Sequence, residues 1–251
     1  ILSMVGAAAL ALGAVVAFAH PFDALEPLQV AVEAQSTPSE EALATEIAQS
    51  EEEEILPDPQ QFVIAATGDV LIHMAVASDA WNGERYAFST QFADVTRYLE
   101  AADVSICNME VPVAEPGAQP QGFPVFAAPY DLVEELAIAG FTGCTTASNH
   151  AMDQGITGLN RTLDAFDLQS MGHAGTARTP EEASRAQMYQ VEKNGVTLTI
   201  ANIAATGHTN GIPVPEDSEW AVSRIDTDRM IQEAQAARAA GADLVVASLH
   251  C

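Results

Sequence analysis

The stretch Phe141-Thr142-Gly143-Cys144-Thr145-Thr146-Ala147-Ser148-Asn149-His150-Ala151-Met152-Asp153-Gln154-Gly155 decides the reading of this sequence. Phe141 to Thr146 is a short apolar, β-prone run and reads as a buried strand. Ser148, Asn149 and His150 follow as a tight polar turn, and the spacing then predicts a helix over about Ile156 to Phe166. A strand that ends in polar residues and passes at once into a helix is the repeating unit of an α/β sheet.

The same unit recurs outward in both directions. Upstream, Asp131 to Ala139 reads as a helix closed by Gly140, Asp103 to Asn108 as a strand, and Thr90 to Ala101 as a helix with Phe92, Val95 and Leu99 on one face. Phe62 to Thr67 reads as a buried strand ending in Gly68-Asp69. Residues 111–127 hold four prolines and two glycines and read as a long loop of the kind that often serves function. Downstream, Thr179-Pro180-Glu181-Glu182 starts a helix, with Thr as cap, Pro at the first position and acids in the first turn. Gln187 to Glu192 and Val196 to Ile203 flank Asn194-Gly195, a strong hairpin signal. A helix over about Asp228 to Ala240 stops at Gly241, and Leu244 to Leu249 is the final strand. Strands alternate with helices and one hairpin interrupts them, so the class is α/β with a mixed sheet.

Composition divides the chain of 251 residues into three parts. Residues 1–22 carry no charged side chain, and Ile1 to Ala19 is apolar or small throughout except for one Ser. As a helix these nineteen residues would rise about 28 Å, close to a hydrocarbon core of roughly 30 Å, so the segment reads as a membrane anchor or a cleaved signal peptide. Residues 23–60 carry 11 acids and no Lys or Arg and read as an acidic flexible linker, extended by like charge and proline. Residues 61–251 carry all 9 basic residues and the remaining 24 acids, and form the folding domain. The expected location is therefore extracytoplasmic, tethered to the membrane by the first segment or secreted if that segment is cleaved. A net charge of −26 excludes unaided binding to nucleic acid or to anionic headgroups. Cys107 and Cys144 lie in apolar strand-like runs and read as small buried hydrophobes rather than as a disulfide pair.

Four strands end in residues that bind hard or borderline metals: Asp69, Glu110, Asn149 with His150, and His250. In open α/β sheets ligands sit beyond the carboxyl ends of the strands, so these groups can converge although they are far apart in sequence. Carboxylates, a carboxamide oxygen and imidazoles without a thiolate suit Mn, Fe or Zn, and a carboxylate between two cations can hold a nucleophile for in-line attack on phosphorus. Taken singly, each residue has an ordinary structural alternative, as a turn former or a solvent-facing strand end. The absence of a Gly-rich phosphate loop argues against a nucleotide-binding domain. His173 and His208, in Gly-rich segments, read as loop residues that could face the site.

In order along the chain, Thr67-Gly68-Asp69-Val70-Leu71-Ile72-His73, Asn108-Met109-Glu110, Ser148 to Gly155, Thr206-Gly207-His208-Thr209-Asn210-Gly211-Ile212-Pro213 and Val245 to His250 resemble the motifs of the CapA-like poly-γ-glutamate capsule synthesis proteins. The resemblance covers about residues 61–251. It implies a calcineurin-like metallophosphatase fold, a layered αββα sandwich with a mixed sheet and a site for two divalent metal ions, Mn, Fe or Zn. Asp69, Glu110, Asn149 and His250 match the metal ligands, with Glu110 between the ions, and His150 matches the catalytic histidine that steadies charge on the transferred phosphoryl group. His73, Asp153 and His208 stand as supporting or substrate-contacting candidates. The family's closing His-containing turn is not reached before Cys251, so the domain is expected to be incomplete at its C-terminus. The resemblance implies a phosphoester or anionic capsule polymer as substrate and a membrane synthase or export complex as partner. A polymer-binding or scaffolding subunit without catalysis is the alternative.

Overall fold

A computed structural model describes residues 61–251 and, as backbone, Val15–Phe18. The linker expected over 23–60 lies outside the described residues, as does most of the segment 1–22. Of that segment Val15–Phe18 form a strand, β1. Among the described residues no helix is long and apolar enough to cross a membrane.

The chain continues as β2 (Ile64–Val70), α1 (Met74–Ala80), α2 (Ser89–Glu100), β3 (Val104–Met109), α3 (Leu132–Ala139), β4 (Gly143–Thr145) and α4 (Gly155–Leu168). After these come β5 (Gly172–Ala174), α5 (Pro180–Ala183), β6 (Gln187–Lys193), β7 (Val196–Thr206), α6 (Thr227–Ala239) and β8 (Leu244–His250). A short 3-10 helix, Glu216–Ala221, precedes α6. Strands β2, β3, β4 and β5 form an all-parallel sheet in that order. The second sheet has the order β1, β8, β7, β6 and is mixed, with β7 and β8 parallel and both outer pairs antiparallel.

Strand alternation builds four layers from these elements. Along β3, Val104 and Ile106 face the second sheet and pack with Tyr189, Ile200 and Val246. The opposite face, Cys107 and Met109, packs under Leu99 of α2, Leu132 and Leu136 of α3, and Phe166 of α4. On the far side Ala201, Ile203, Val245 and Ala247 lie under Met230, Ala234 and Ala237 of α6. The result is the αββα sandwich anticipated from the sequence. Two glycines let the sheets meet: a Cβ on Gly143 would lie 2.2 Å from the Tyr189 hydroxyl, and one on Gly172 would lie 2.6 Å from its ring.

Local signals in the sequence act as expected. Thr179 Oγ1 accepts from Glu182 N at 3.2 Å and caps α5. Gly140 and Gly241 end their helices with φ of 103° and 101°. Asn194 and Gly195, with φ of 52° and 78°, close the β6–β7 hairpin as a primed turn. Two readings are corrected. His173 belongs to β5, not a loop, and its ring faces Asp167 at 3.2 Å rather than the strand-end cluster. Cys107 and Cys144, taken separately as buried thiols, are bonded to each other; parallel pairing of β3 and β4 sets them directly opposite, with Cα atoms 4.4 Å apart.

Candidate functional site

The carboxyl ends of β2, β3, β4, β7 and β8 open on one side of the sandwich, and the polar residues predicted from the sequence gather there. Asp69 lies near the end of β2, Glu110 one residue past β3, Asn149 and His150 in the turn after β4, and His250 at the end of β8. The period of two explains why they meet. Asn108 and Glu110 continue the face of Val104 and Ile106, and His250 continues the face of Leu244 and Val246, so all are directed into the space between the sheets.

Hydrogen bonds link them into one chain, which also fixes the tautomers of both imidazoles. Thr145 Oγ1 donates to Asn108 Oδ1 at 2.8 Å, which leaves the Asn108 amide to donate to Asp69 Oδ1 at 2.7 Å and to His250 Nδ1 at 3.1 Å. With Nδ1 accepting, His250 carries its proton on Nε2 and donates to Asn149 Oδ1 at 2.8 Å. Asn149 Nδ2 in turn donates to Asn210 Oδ1 at 3.3 Å, and Asn210 Nδ2 lies 3.3 Å from His150 Nε2 and 3.4 Å from its Nδ1. His150 Nδ1 meets Asp153 Oδ2 at 2.7 Å, so the proton sits there and Nε2 holds the lone pair. The Phe126 amide donates to the same Asp153 oxygen at 2.6 Å. Ser148 fixes the turn itself, donating to the Glu110 carbonyl and accepting from the His150 amide at 3.1 Å.

The electrostatics are those of an acidic pocket short of positive charge. Glu110 is buried, 7% exposed, and burial first, then the neighbouring Asp69 charge, pushes its carboxyl above the ordinary range. Burial also lowers the pKa of His250, against the pull of Asp69. Among the described residues no arginine forms an ion pair with Asp69, Glu110 or Asp153. Asp153 Oδ1 is buried with no hydrogen-bond partner.

The donor set fits a divalent cation on one side of His250. Asn149 Oδ1 and Glu110 Oε1 approach Nε2 at 2.8 and 3.9 Å, so two oxygens and a nitrogen surround one point, where a cation would take the place of the Nε2 proton. Asp69 stands across the ring, 3.5 Å from Nδ1. Consequently, among the described residues no three His, Cys, Asp or Glu side chains form a metal-holding group by themselves. On the Nε2 side the set is completed by the Asn149 carboxamide.

The three supporting candidates fall in different places. Asp153 bonds to His150 directly. His73 is one ring removed: it meets the Phe126 ring edge-on at 5.1 Å, and Phe126 meets His150 edge-on at 4.9 Å. His208 lies in the loop after β7, accepts from the Asn210 amide through Nδ1 at 3.3 Å, and is close enough for its charge to bear on His250. Sequence reasoning missed Asn108, Ser148, Phe126 and Asn210 as site residues. The spacing of Asn108 two residues before Glu110 was the available signal for the first; the others depend on loops whose course no periodicity reports.

The four-layered αββα sandwich, with carboxylates, carboxamides and imidazoles gathered at the carboxyl ends of its strands, is of the metallophosphatase-like fold class. Residues 63–251 match the family described as bacterial capsule synthesis protein PGA_cap, and the chain belongs to that family. It is similar to the PGA biosynthesis protein CapA of Bacillus subtilis, 32% identical over 126 residues, which are 47% of this chain and 30% of that protein. Two uncharacterized proteins of Sinorhizobium fredii, y4uA and y4sH, are 29% and 28% identical over 144 residues, covering 55% of this chain. In each of these two the match spans 29% of the relative's length.

Proposed function

We propose that this chain is an exported, membrane-tethered hydrolase of the metallophosphatase type that acts in the synthesis or export of a capsule polymer such as poly-γ-glutamate. The observation that carries this reading is the placement of Glu110, Asn149 and His250 around one point beside the His150–Asp153 pair, in a pocket where no arginine offsets the acids. Asp69, Glu110, Asn149 and His250 would hold two divalent ions, Mn, Fe or Zn. When bound, these ions supply Lewis acidity toward a phosphoryl oxygen and an activated water.

The chain's own groups do the rest. Asp153 holds the Nδ1 proton of His150 and so directs Nε2 outward, where, once protonated, it steadies charge on a phosphoryl or leaving oxygen. Asp153 also stabilises the imidazolium once a proton is taken up, as a buried carboxylate does behind a catalytic histidine. Because the acidic surface repels an anionic polymer, attraction of such a substrate must come from the cations and from neutral donors at the site.

A second reading, a polymer-binding or scaffolding subunit, is favoured by the position of Asp69 across the imidazole from Glu110. One experiment separates the two: measuring bound metal and the hydrolysis of a generic phosphodiester with Mn, for wild type and a Glu110→Ala, His150→Ala double variant. A metal-loaded, active wild type and an inert variant support the enzyme. Equal inertness without metal sinks it, and a capsule phenotype retained by the variant then favours the scaffold.

A further inference from the structure

The loop after β7 brings a residue to the site that the ligand reading does not use. Asn210 and Gly211 follow each other with φ of 49° and 78°, which turns the chain back over the site. The turn is firmly held. Thr209 is buried and donates through Oγ1 to Ile212 O at 2.7 Å, and Ile212 N returns to Thr209 O at 2.8 Å. Gly207 N donates to His250 O at 2.9 Å, and Ile212 and Val214 pack on Ala151 and Met152, next to His150. The Asn210 side chain is therefore placed by its surroundings, while the residue remains exposed on the solvent side of Asn149 and His150.

Its amide lies over the His150 ring, 3.3 Å from Nε2 and 3.4 Å from Nδ1, beside the edge that Asp153 turns outward. Beside it, His208 accepts at Nδ1, so its neutral ring carries the proton on Nε2 and offers a second N–H. Neutral, preset N–H groups facing the open side of an acidic pocket suit an oxyanion that charged side chains do not attract.

We propose that Asn210 is a substrate-contacting residue: the amide N–H now directed to His150 is the donor that meets a phosphoryl-type oxygen arriving at Nε2 of that ring, with His208 beside it. The inference rests on the phosphoester reading of the site, and the test keeps the two apart. Inorganic phosphate is titrated calorimetrically into the full chain in Mn-containing buffer, for wild type, Asn210→Ala and Asn210→Asp, while bound metal is measured separately by elemental analysis. Loss of one hydrogen bond to a charged group is expected to weaken phosphate binding about tenfold in Asn210→Ala, and more in Asn210→Asp, with metal content unchanged. Equal phosphate binding in wild type and Asn210→Ala, or no phosphate binding by wild type, overturns the proposal. Loss of metal together with phosphate in Asn210→Ala also overturns it, since the residue would then act only by holding Asn149. Asn210-dependent phosphate binding by a wild type that takes up no metal upholds this inference and sinks the metallophosphatase reading instead.

Discussion

Asn108 Nδ2 lies 3.1 Å from His250 Nδ1, so a carboxamide on the all-parallel sheet fixes the imidazole that ends the mixed one. The same amide donates to Asp69 Oδ1 at 2.7 Å. Replacing Asn108 with Ala removes this bond to both candidate ligands and leaves the Thr145 hydroxyl only its longer bond to the Cys107 carbonyl, at 3.4 Å. Affinity for Mn, read by calorimetry, is expected to fall 10- to 100-fold, as for other residues that orient metal ligands. Unchanged affinity would show that His250 and Asp69 are held by other means.

Asp153 accepts from both His150 and the Phe126 amide through one oxygen. In Asp153→Asn, the carboxamide oxygen that keeps the Phe126 bond also keeps the His150 bond, so the tautomer is retained but the negative charge that stabilises the imidazolium is lost. The expected result is a fall in kcat of at least about a hundredfold on a phosphodiester substrate, with metal content at the wild-type level. A variant with wild-type kcat would remove His150 from the chemistry.

Gly172 is a matter of space. A Cβ there meets the Tyr189 ring at 2.6 Å, and the ring is wedged between the sheets. Gly172→Ala should cost about 1–3 kcal/mol in urea unfolding, the usual penalty for overfilling a packed core. A Tyr189→Phe change made in addition relieves little of that cost, because the clash involves ring carbon as well as the hydroxyl. Full rescue by Tyr189→Phe would place the clash at the hydroxyl alone.

Arg178 sets an acid limit on stability. Burial alone would raise the carboxyls of Asp167 and Glu182, but the hydrogen bonds and charge of Arg178 outweigh it and hold both below their ordinary values of 3.8 and 4.5. A lowered folded-state pKa contributes stability that is present above the ordinary value and lost as pH falls through the folded one. Wild type should therefore exceed Arg178→Ala by about 1 kcal/mol near neutral pH, less in high salt, and the gap should close below about pH 4. Urea midpoints from neutral pH downward test it; a gap that does not shrink as the pH falls below the ordinary carboxyl values would assign the effect to packing of the arginine stem.

How much of this was legible beforehand depends on the kind of signal. Gly140, Gly241, Thr179 and Asn194-Gly195 act within a few residues of themselves, and each marked its turn or cap correctly. The strand ends at Asp69, Glu110, Asn149, His150 and His250 were legible because a strand that stops in polar residues announces which end of the sheet is open. The bond between Cys107 and Cys144 was not, since it depends on how β3 and β4 pair and not on either run alone. Asn210 lies in one of the motifs that carried the resemblance, but its place at the site was not legible for a similar reason. Its position comes from two successive left-handed residues and from the packing of Ile212 and Val214, neither of which leaves a periodic trace.

The cluster draws Asp69, Asn108, Glu110, Asn149 and His150 from one sheet and Asn210 and His250 from the other. Whatever fills it therefore works as a cross-brace between the two halves of the molecule. Its binding free energy is added to the resistance of the fold to coming apart, by about 1.4 kcal/mol for each tenfold excess of ligand over Kd. Melting temperature thus becomes a gauge of occupancy, readable before any reaction has been found.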